Sequence, residues 1–236
     1  MNINEKEQKV RDISMLMQRG NLIDAKPLID ELISHMEEFE KVDNGYDFED
    51  EIEYIFFIKE FPDIKAVKWE HNYNYIICLW KANILTREGQ FEKAIEMLHK
   101  ALIWNPVSSK AYAELLENYI SLKDLDNFAK VFIKAVKYAK NAMELAVLYR
   151  KYGVIYSILG KNEIAYNLLL YSKLFVPREA ADKEIVYLSE KEGIKLELYP
   201  TLNCVRYVES IGLEFSPNLN IVDTYKELIN KTKKYY

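Results

Sequence analysis

At 236 residues, half of them apolar but with only 7 glycines and 6 prolines, the chain has ample material for a core and too few breakers for an all-β fold. A net charge of −5 speaks against a nucleic-acid partner, which calls for a strong basic footprint. Cys78 and Cys204 are the only cysteines, and without paired spacing or a neighbouring histidine they suggest neither a disulfide framework nor a zinc site.

The start, Met1 to Arg11, is polar and lacks the apolar core of a signal peptide. No apolar run approaches the length of a membrane span, so the expectation is a soluble, cytoplasmic protein without a membrane partner. Residues 4–19 form a helical pattern with Val10, Ile13, Met15 and Met17 as a partial apolar face. Arg19-Gly20-Asn21 makes a turn, and Ala25, Ile29 and Leu32 mark the next helix, with Pro27 placed in its first turn. Residues 1–39 are therefore a degenerate helix pair.

Residues 40–74 are irregular. Asp43-Asn44-Gly45 is a turn signal, and Phe48 to Phe61 is a helix with Ile52, Ile55, Phe56 and Lys59 in register. Pro62 stops it, and Asp63 is an N-cap for the next helix. The acids Asp43, Asp47, Glu49, Asp50, Glu51 and Glu53 invite a calcium loop, but Tyr54 falls where its twelfth ligand belongs. Attraction of acids to a helix N-terminus explains them more simply, and no metal is expected. Trp69, Tyr73, Tyr75 and Trp80 belong to one long helical pattern ending at Arg87; interhelical packing accounts for them better than a stacking platform. Charge is uneven: residues 1–70 carry 18 acids and 9 bases, the remainder 19 and 23, which solvated helix faces explain.

A recurrence organises the next hundred residues. Gly89 is followed by Ala94, Leu98 and Ala101, closing at Pro106. Lys123 is followed at the same distances by Phe128, Phe132 and Ala135, with Lys140 in the proline's place. Gly160 is followed by Ala165, Leu169 and Ser172, closing at Pro177. Ahead of these turns stand Tyr112, Leu115, Leu116 and Tyr119, and then Tyr149, Tyr152, Gly153 and Tyr156, each set on one helical face. Small residues such as Gly153 let antiparallel helices approach, and a turn glycine takes positive φ at little cost. Lys123 must make its turn less comfortably.

This pattern resembles the tetratricopeptide repeat family, and the turn spacings of 34 and 37 residues match its period. The first unit departs from it, with Cys78 and Lys81 where an aromatic and a leucine are usual. The resemblance implies an all-α, right-handed superhelix of antiparallel helix pairs. Residues 75–177 supply three units (75–108, 109–142 and 146–179), and 180–236 supply capping and extra helices. The phrase around Phe48–Pro62 and the Asn105-Pro106-Val107 junction are similar to a group of bacterial tetratricopeptide proteins without assigned activity.

Beyond Pro177, Arg178 to Glu192 suits a capping helix with Ala181, Ile185 and Leu188 inward, ended by Gly193. Ile194 to Leu198 is a linker. Pro200 to Ser210 and Ser216 to Lys234 are two further helices, with Pro200 and Pro217 early in each and Ser216 as a cap.

No phosphate-binding glycine loop, nucleophile elbow or zinc-protease motif is present, and His35, His71 and His99 stand apart from any second ligand. The chain is expected to be no enzyme and to need no cofactor. By resemblance, a concave groove is lined by Ile76, Leu79, Asn83 and Arg87 of the first unit. Lys110, Ala113, Glu114 and Glu117 line it in the second, and Val147, Arg150, Lys151 and Val154 in the third. The family's carboxylate clamp is not reproduced. Asn83 matches one of its positions and Lys151 replaces its arginine, but Leu79, Glu114 and Val147 occupy the rest, and Glu114 repels a carboxylate. The expected function is an adaptor or scaffold holding a protein or peptide. A homo-oligomeric assembly component and a peptide-responsive sensor are the alternatives.

Overall fold

The structure, a computed structural model, describes residues 3–36, 44–177 and 181–213. Among these residues the fold is all-α apart from one pair of two-residue strands, and its helices pack in consecutive pairs. The chain forms two compact units, residues 1–114 and 115–236, whose boundary falls inside the sixth helix.

The first unit holds α1 (Ile3–Gln18), α2 (Leu22–His35), β1 (Gly45–Tyr46), α3 (Glu51–Glu60), β2 (Lys68–Trp69), α4 (Asn74–Arg87), α5 (Phe91–Trp104) and the start of α6 (Ser109–Leu122). Val10, Ile13, Ala25, Ile29 and Leu32 bury one core with Ile77 and Ile84, so α2 packs directly on α4 across the intervening sequence. Met15 is exposed and Leu16 packs inward in its stead, one position from the expected stripe. Pro27 sits in the second turn of α2 rather than the first. The N–H it lacks would have bonded the carbonyl of Ile23; both residues are exposed, so water can take that role.

The second unit contains the rest of α6, α7 (Leu125–Tyr138), α8 (Ala142–Ile158), α9 (Asn162–Ser172), α10 (Asp182–Glu192) and α11 (Leu202–Ser210). Tyr149 and Tyr152 of α8 join its neighbours. Tyr152 packs on Phe132 of α7 with ring centroids 4.3 Å apart, and Tyr149 meets Tyr171 of α9 edge-on at 4.8 Å. Such aromatic pairs add about 0.5–1.5 kcal/mol each beyond their buried area. Asn141 caps α8, its Oδ1 accepting from Glu144 N, while Glu144 reaches back to accept from Lys140 N at 2.7 Å. A capped helix start thus serves where the neighbouring pairs have proline.

The turns within four of the helix pairs share one geometry. At Gly20, Gly89, Lys123 and Gly160 the backbone enters the left-handed region, with φ of 71°, 73°, 57° and 73°. Each turn residue donates its N–H three residues back, and its successor donates five residues back, as in Gly89 N to Thr86 O and Gln90 N to Leu85 O. This double bond pattern satisfies the last carbonyls of the helix. Lys123 adopts it despite its β-carbon, at a cost of about 1 kcal/mol. Asp124 offsets that cost by capping α7, its Oδ1 accepting from Asn127 N at 3.0 Å, whereas Gln90 and Lys161 in the equivalent places cap nothing through their side chains.

Residues 44–73 depart most from expectation. The helix begins at Glu51, capped by Asp50, so Phe48 lies outside it. Asp63 caps no helix: the chain instead returns as β2, pairing in parallel with β1. Trp69 therefore belongs to a strand, not to α4, and its indole N–H donates to the Phe48 carbonyl at 2.9 Å. Tyr46, Phe48, Phe57 and Trp69 make a local aromatic core.

At the C-terminal side, Ala181, Ile185 and Leu188 pack with Ala165, Leu169 and Cys204, closing the apolar face of α9. Gly193 ends α10 in the left-handed region. Residues 194–200 have no regular structure and are tied down by Tyr166, whose hydroxyl donates to Lys195 O and accepts from Glu197 N at 2.8 Å. Lys173, almost wholly buried, pairs with Asp182 at 2.6 Å and donates to Leu198 O. Pro200 precedes α11 rather than opening it, because Thr201 is the cap. The helix expected at 216–234, and residues 37–39 and 178–180 of the neighbouring expectations, lie outside the described residues.

Candidate protein-binding faces

The helices α4, α6 and α8 each bury one face, and a second face of each is less buried. On α4 that second face carries Asn83 and Arg87, one turn apart, and Arg87 Nε donates to Asn83 Oδ1 at 3.1 Å. Leu79 is buried and Ile76 packs against the α1–α2–α4 core, so the polar pair is what α4 can present. Lys110, at the start of α6, is exposed and pairs with Glu49 at 2.8 Å; Glu114 follows one turn later, half-buried.

In the second unit the ion pair Lys151–Glu117 joins α8 to α6. The lysine side chain is 19% exposed and the glutamate 47%, so the lysine is the anchored member and the carboxylate the accessible one. Arg150 is half-buried beside it in sequence. The structure thus brings together Asn83 with Arg87 and Glu117 with Lys151. It engages Lys110 with a glutamate of the 44–73 segment that no spacing rule connects to it. Lys110, Glu117 and Lys151 are each paired with an opposite charge, which suits mixed polar recognition better than capture of one strongly charged ligand.

A second constellation escaped sequence reasoning. Asp47 and Glu53, read as solvated acids near a helix start, are both buried. Asp47 N donates to Trp104 O at 3.0 Å, and Asp47 Oδ2 accepts from Tyr75 N at 3.1 Å. That bond caps α4 from a distance, because its own N-cap residue Tyr73 makes no side-chain bond. Glu53 Oε2 accepts from Glu49 N at 2.8 Å and from Asn105 Nδ2 at 2.7 Å. Tyr75 and Ser108 share a 2.5 Å hydroxyl contact nearby. Burial pushes Asp47 up to about 7, against the bond from Tyr75 N and the charge of Lys6, with Glu53 and Glu49 reinforcing the rise. The single local signal was a dense run of acids beside aromatic residues, and it does not identify which acid turns inward.

The three histidines are exposed. Cys78 and Cys204 are free, buried thiols, and burial pushes Cys78 up to about 12. Among the described residues no three histidine, cysteine or acidic side chains are placed to hold a metal ion, and no helix is long and apolar enough to cross a membrane. A shallow recess on α10, lined by Asp182, Lys183, Val186, Tyr187 and Glu190, is open to solvent.

Residues 75–107, spanning α4 and α5, match the family model described as tetratricopeptide repeat, so the chain contains such a repeat. No curated protein and no solved structure matches the chain.

Proposed function

We propose that this protein is a non-enzymatic adaptor or scaffold that holds a segment of another protein against the outward faces of α4, α6 and α8. The matched repeat supports a role in protein–protein interaction, and that observation carries the reading. We take the helix pairs of residues 75–108, 109–142 and 146–179 as its three repeats, with Asn83, Arg87, Lys110, Glu114, Glu117, Arg150 and Lys151 as the contact residues. Local pairing supports this choice: Arg87 against Asn83 and Lys151 against Glu117 are held in place before a partner arrives, which lowers the ordering cost of binding. The guest that fits is a peptide or helix with both polar and apolar side chains. Capture from native lysate, comparing the parent chain with Lys110→Glu/Arg150→Glu, tests the assignment. Loss of specific partners is expected, and an unchanged partner set refutes it.

Self-association is the second reading, favoured by one observation. Tyr187, Tyr199 and Leu202, near the C-terminal side of the second unit, are each more than half exposed. A mass by light scattering that stays monomeric from micromolar to millimolar protein removes this reading.

A further inference from the structure

We propose that the segment 216–234 of this chain docks as an amphipathic helix on the apolar face that α10, residues 194–200 and α11 leave open. This docking lies within the second unit and does not depend on what α4, α6 and α8 hold.

The face is apolar and held in place. Among the described residues thirteen large apolar side chains are exposed, and six of them fall between Tyr187 and Ile211, a concentration that scattered surface exposure does not produce. Three of the six, Leu196, Leu198 and Tyr199, sit on a stretch without regular structure that is nevertheless fixed from beneath. Tyr166 holds it through Lys195 O and the Glu197 N–H. The buried Lys173 donates to Leu198 O and lies 5.2 Å from the centre of the Tyr199 ring. The same ammonium pairs with Asp182 at the start of α10, which links this stretch to the recess of Asp182, Val186 and Tyr187. Leu202 then opens α11. Buried polar groups thus fix a run of apolar side chains that face solvent, an arrangement that suits an apolar occupant.

The earlier helices come in direct pairs: α1 packs on α2, α4 on α5 and α8 on α9, whereas α10 and α11 both pack on α9. A stack of helix pairs needs its last apolar face covered. The turn that ends α11 has the form that precedes a packed helix. At Gly212 φ is 69°, its N–H donates to Glu209 O at 3.0 Å, and the Leu213 N–H donates to Val208 O at 3.1 Å. Gly20, Gly89 and Gly160 make the same turn, and each returns the chain as a helix packed on the one it has left. At Gly193 the N–H reaches four residues back instead, and no helix follows until Leu202.

The sequence that follows this turn has the pattern of an occupant. It runs on from Leu213 to Tyr236, and Ser216-Pro217 is a helix start, with serine as cap and proline in the first turn. On a helix, Ile221, Val222, Tyr225, Leu228 and Ile229 share an arc of about 120°, with Asp223, Glu227, Asn230 and Lys234 opposite. Such a stripe calls for an apolar face to cover it, and the open one is the nearest in sequence. Charge agrees: Lys231, Lys233 and Lys234 follow the stripe, and Glu184 and Glu190 of α10 are exposed acids.

Photocrosslinking in the full chain tests this, with a photoreactive amino acid at position 187, at 199 or, as a control, at the exposed Ile133 of α7. A mixture of unlabelled and nitrogen-15-labelled chains separates crosslinks within a chain from those between copies. Peptides from 216–234 of the same chain should be captured from 187 and 199 and not from 133. Their absence from the 187 and 199 crosslinks, their capture from a second copy, as self-association requires, or equal capture from 133 overturns the proposal. Hydrogen exchange gives an independent reading. In Leu228→Asp the amides of 221–231 should exchange about tenfold faster than in the parent, while Asn230→Asp, on the polar side, leaves them within about twofold. A Leu228→Asp chain that exchanges no faster than Asn230→Asp overturns the proposal as well.

Discussion

Gly153 of α8 and Leu169 of α9 meet so closely that a β-carbon on residue 153 would lie 2.8 Å from Leu169 Cγ. It would also come within 3.2 Å of the Ala165 carbonyl oxygen. Glycine is what allows these two helices their separation, and a substitution must push either a side chain or a backbone aside. Gly153→Ala is expected to destabilise the chain by about 1–3 kcal/mol in urea unfolding. Trimming the neighbour should relieve much of that clash, so the cost of Gly153→Ala measured in a Leu169→Ala background should be smaller. Equal costs in the two backgrounds would mean that Leu169 is not what the glycine accommodates.

Lys123 makes a turn that glycine makes elsewhere in the chain. Lys123→Gly should therefore stabilise the protein by about 1 kcal/mol, and Gly89→Lys should destabilise it by a similar amount. A neutral or destabilising Lys123→Gly would show that the lysine side chain contributes something the backbone geometry does not reveal.

Asp124 compensates at that same turn. Its carboxylate accepts from the Asn127 amide and side chain, which hold it below the usual carboxylate range. A lowered folded-state value means stability that is present above the ordinary 3.8 and lost as pH falls through the folded value. Asp124→Ala should cost about 1 kcal/mol at pH 7. It should also show a shallower loss of stability than the parent below pH 4, followed by circular dichroism during acid titration.

Replacing Glu53 by alanine leaves the Asn105 amide and the Glu49 N–H without the carboxylate oxygen they share. The expected loss is about 2–4 kcal/mol, because buried donors lose their partner and cannot reach water. Glu53→Gln keeps an acceptor and should lose less. Similar losses for the two variants would assign the effect to packing rather than to hydrogen bonding.

Cys78 is fully buried, and burial pushes its thiol up to about 12. Its reaction with a disulfide reagent at pH 8 should be slow and should accelerate with denaturant in step with unfolding. Fast reaction in the native state would place Cys78 at the surface.

The helix pairs were legible in the sequence because their signals are local. Gly89 and Gly160 announce their turns, and Ala94, Leu98, Ala165 and Leu169 fall at fixed distances after them and are buried. Lys123 could be placed by period alone, although nothing nearby announces a left-handed residue. The 44–73 segment was not legible, because what determines it is distant. β1 finds its partner 23 residues later, Asp47 finds Tyr75, and Glu53 finds Asn105 across 52 residues. An acid near a helix start has the same sequence signature whether it faces water or a buried amide. Among the residues proposed as contacts, Lys110 pairs with Glu49, and that pairing depends on a fold of the intervening segment that no periodicity encodes.

In the proposed mode of binding, the first helices of the pairs, not the second, receive a partner. Photocrosslinking from single positions tests this, with a photoreactive amino acid at Ala113 or Val154 on first helices and at the exposed Ile103 or Ile133 on second helices. One shared partner should be crosslinked from 113 and 154, and not from 103 or 133. Crosslinking of that partner from 103 and 133 instead, or equally from all four positions, would contradict the proposal.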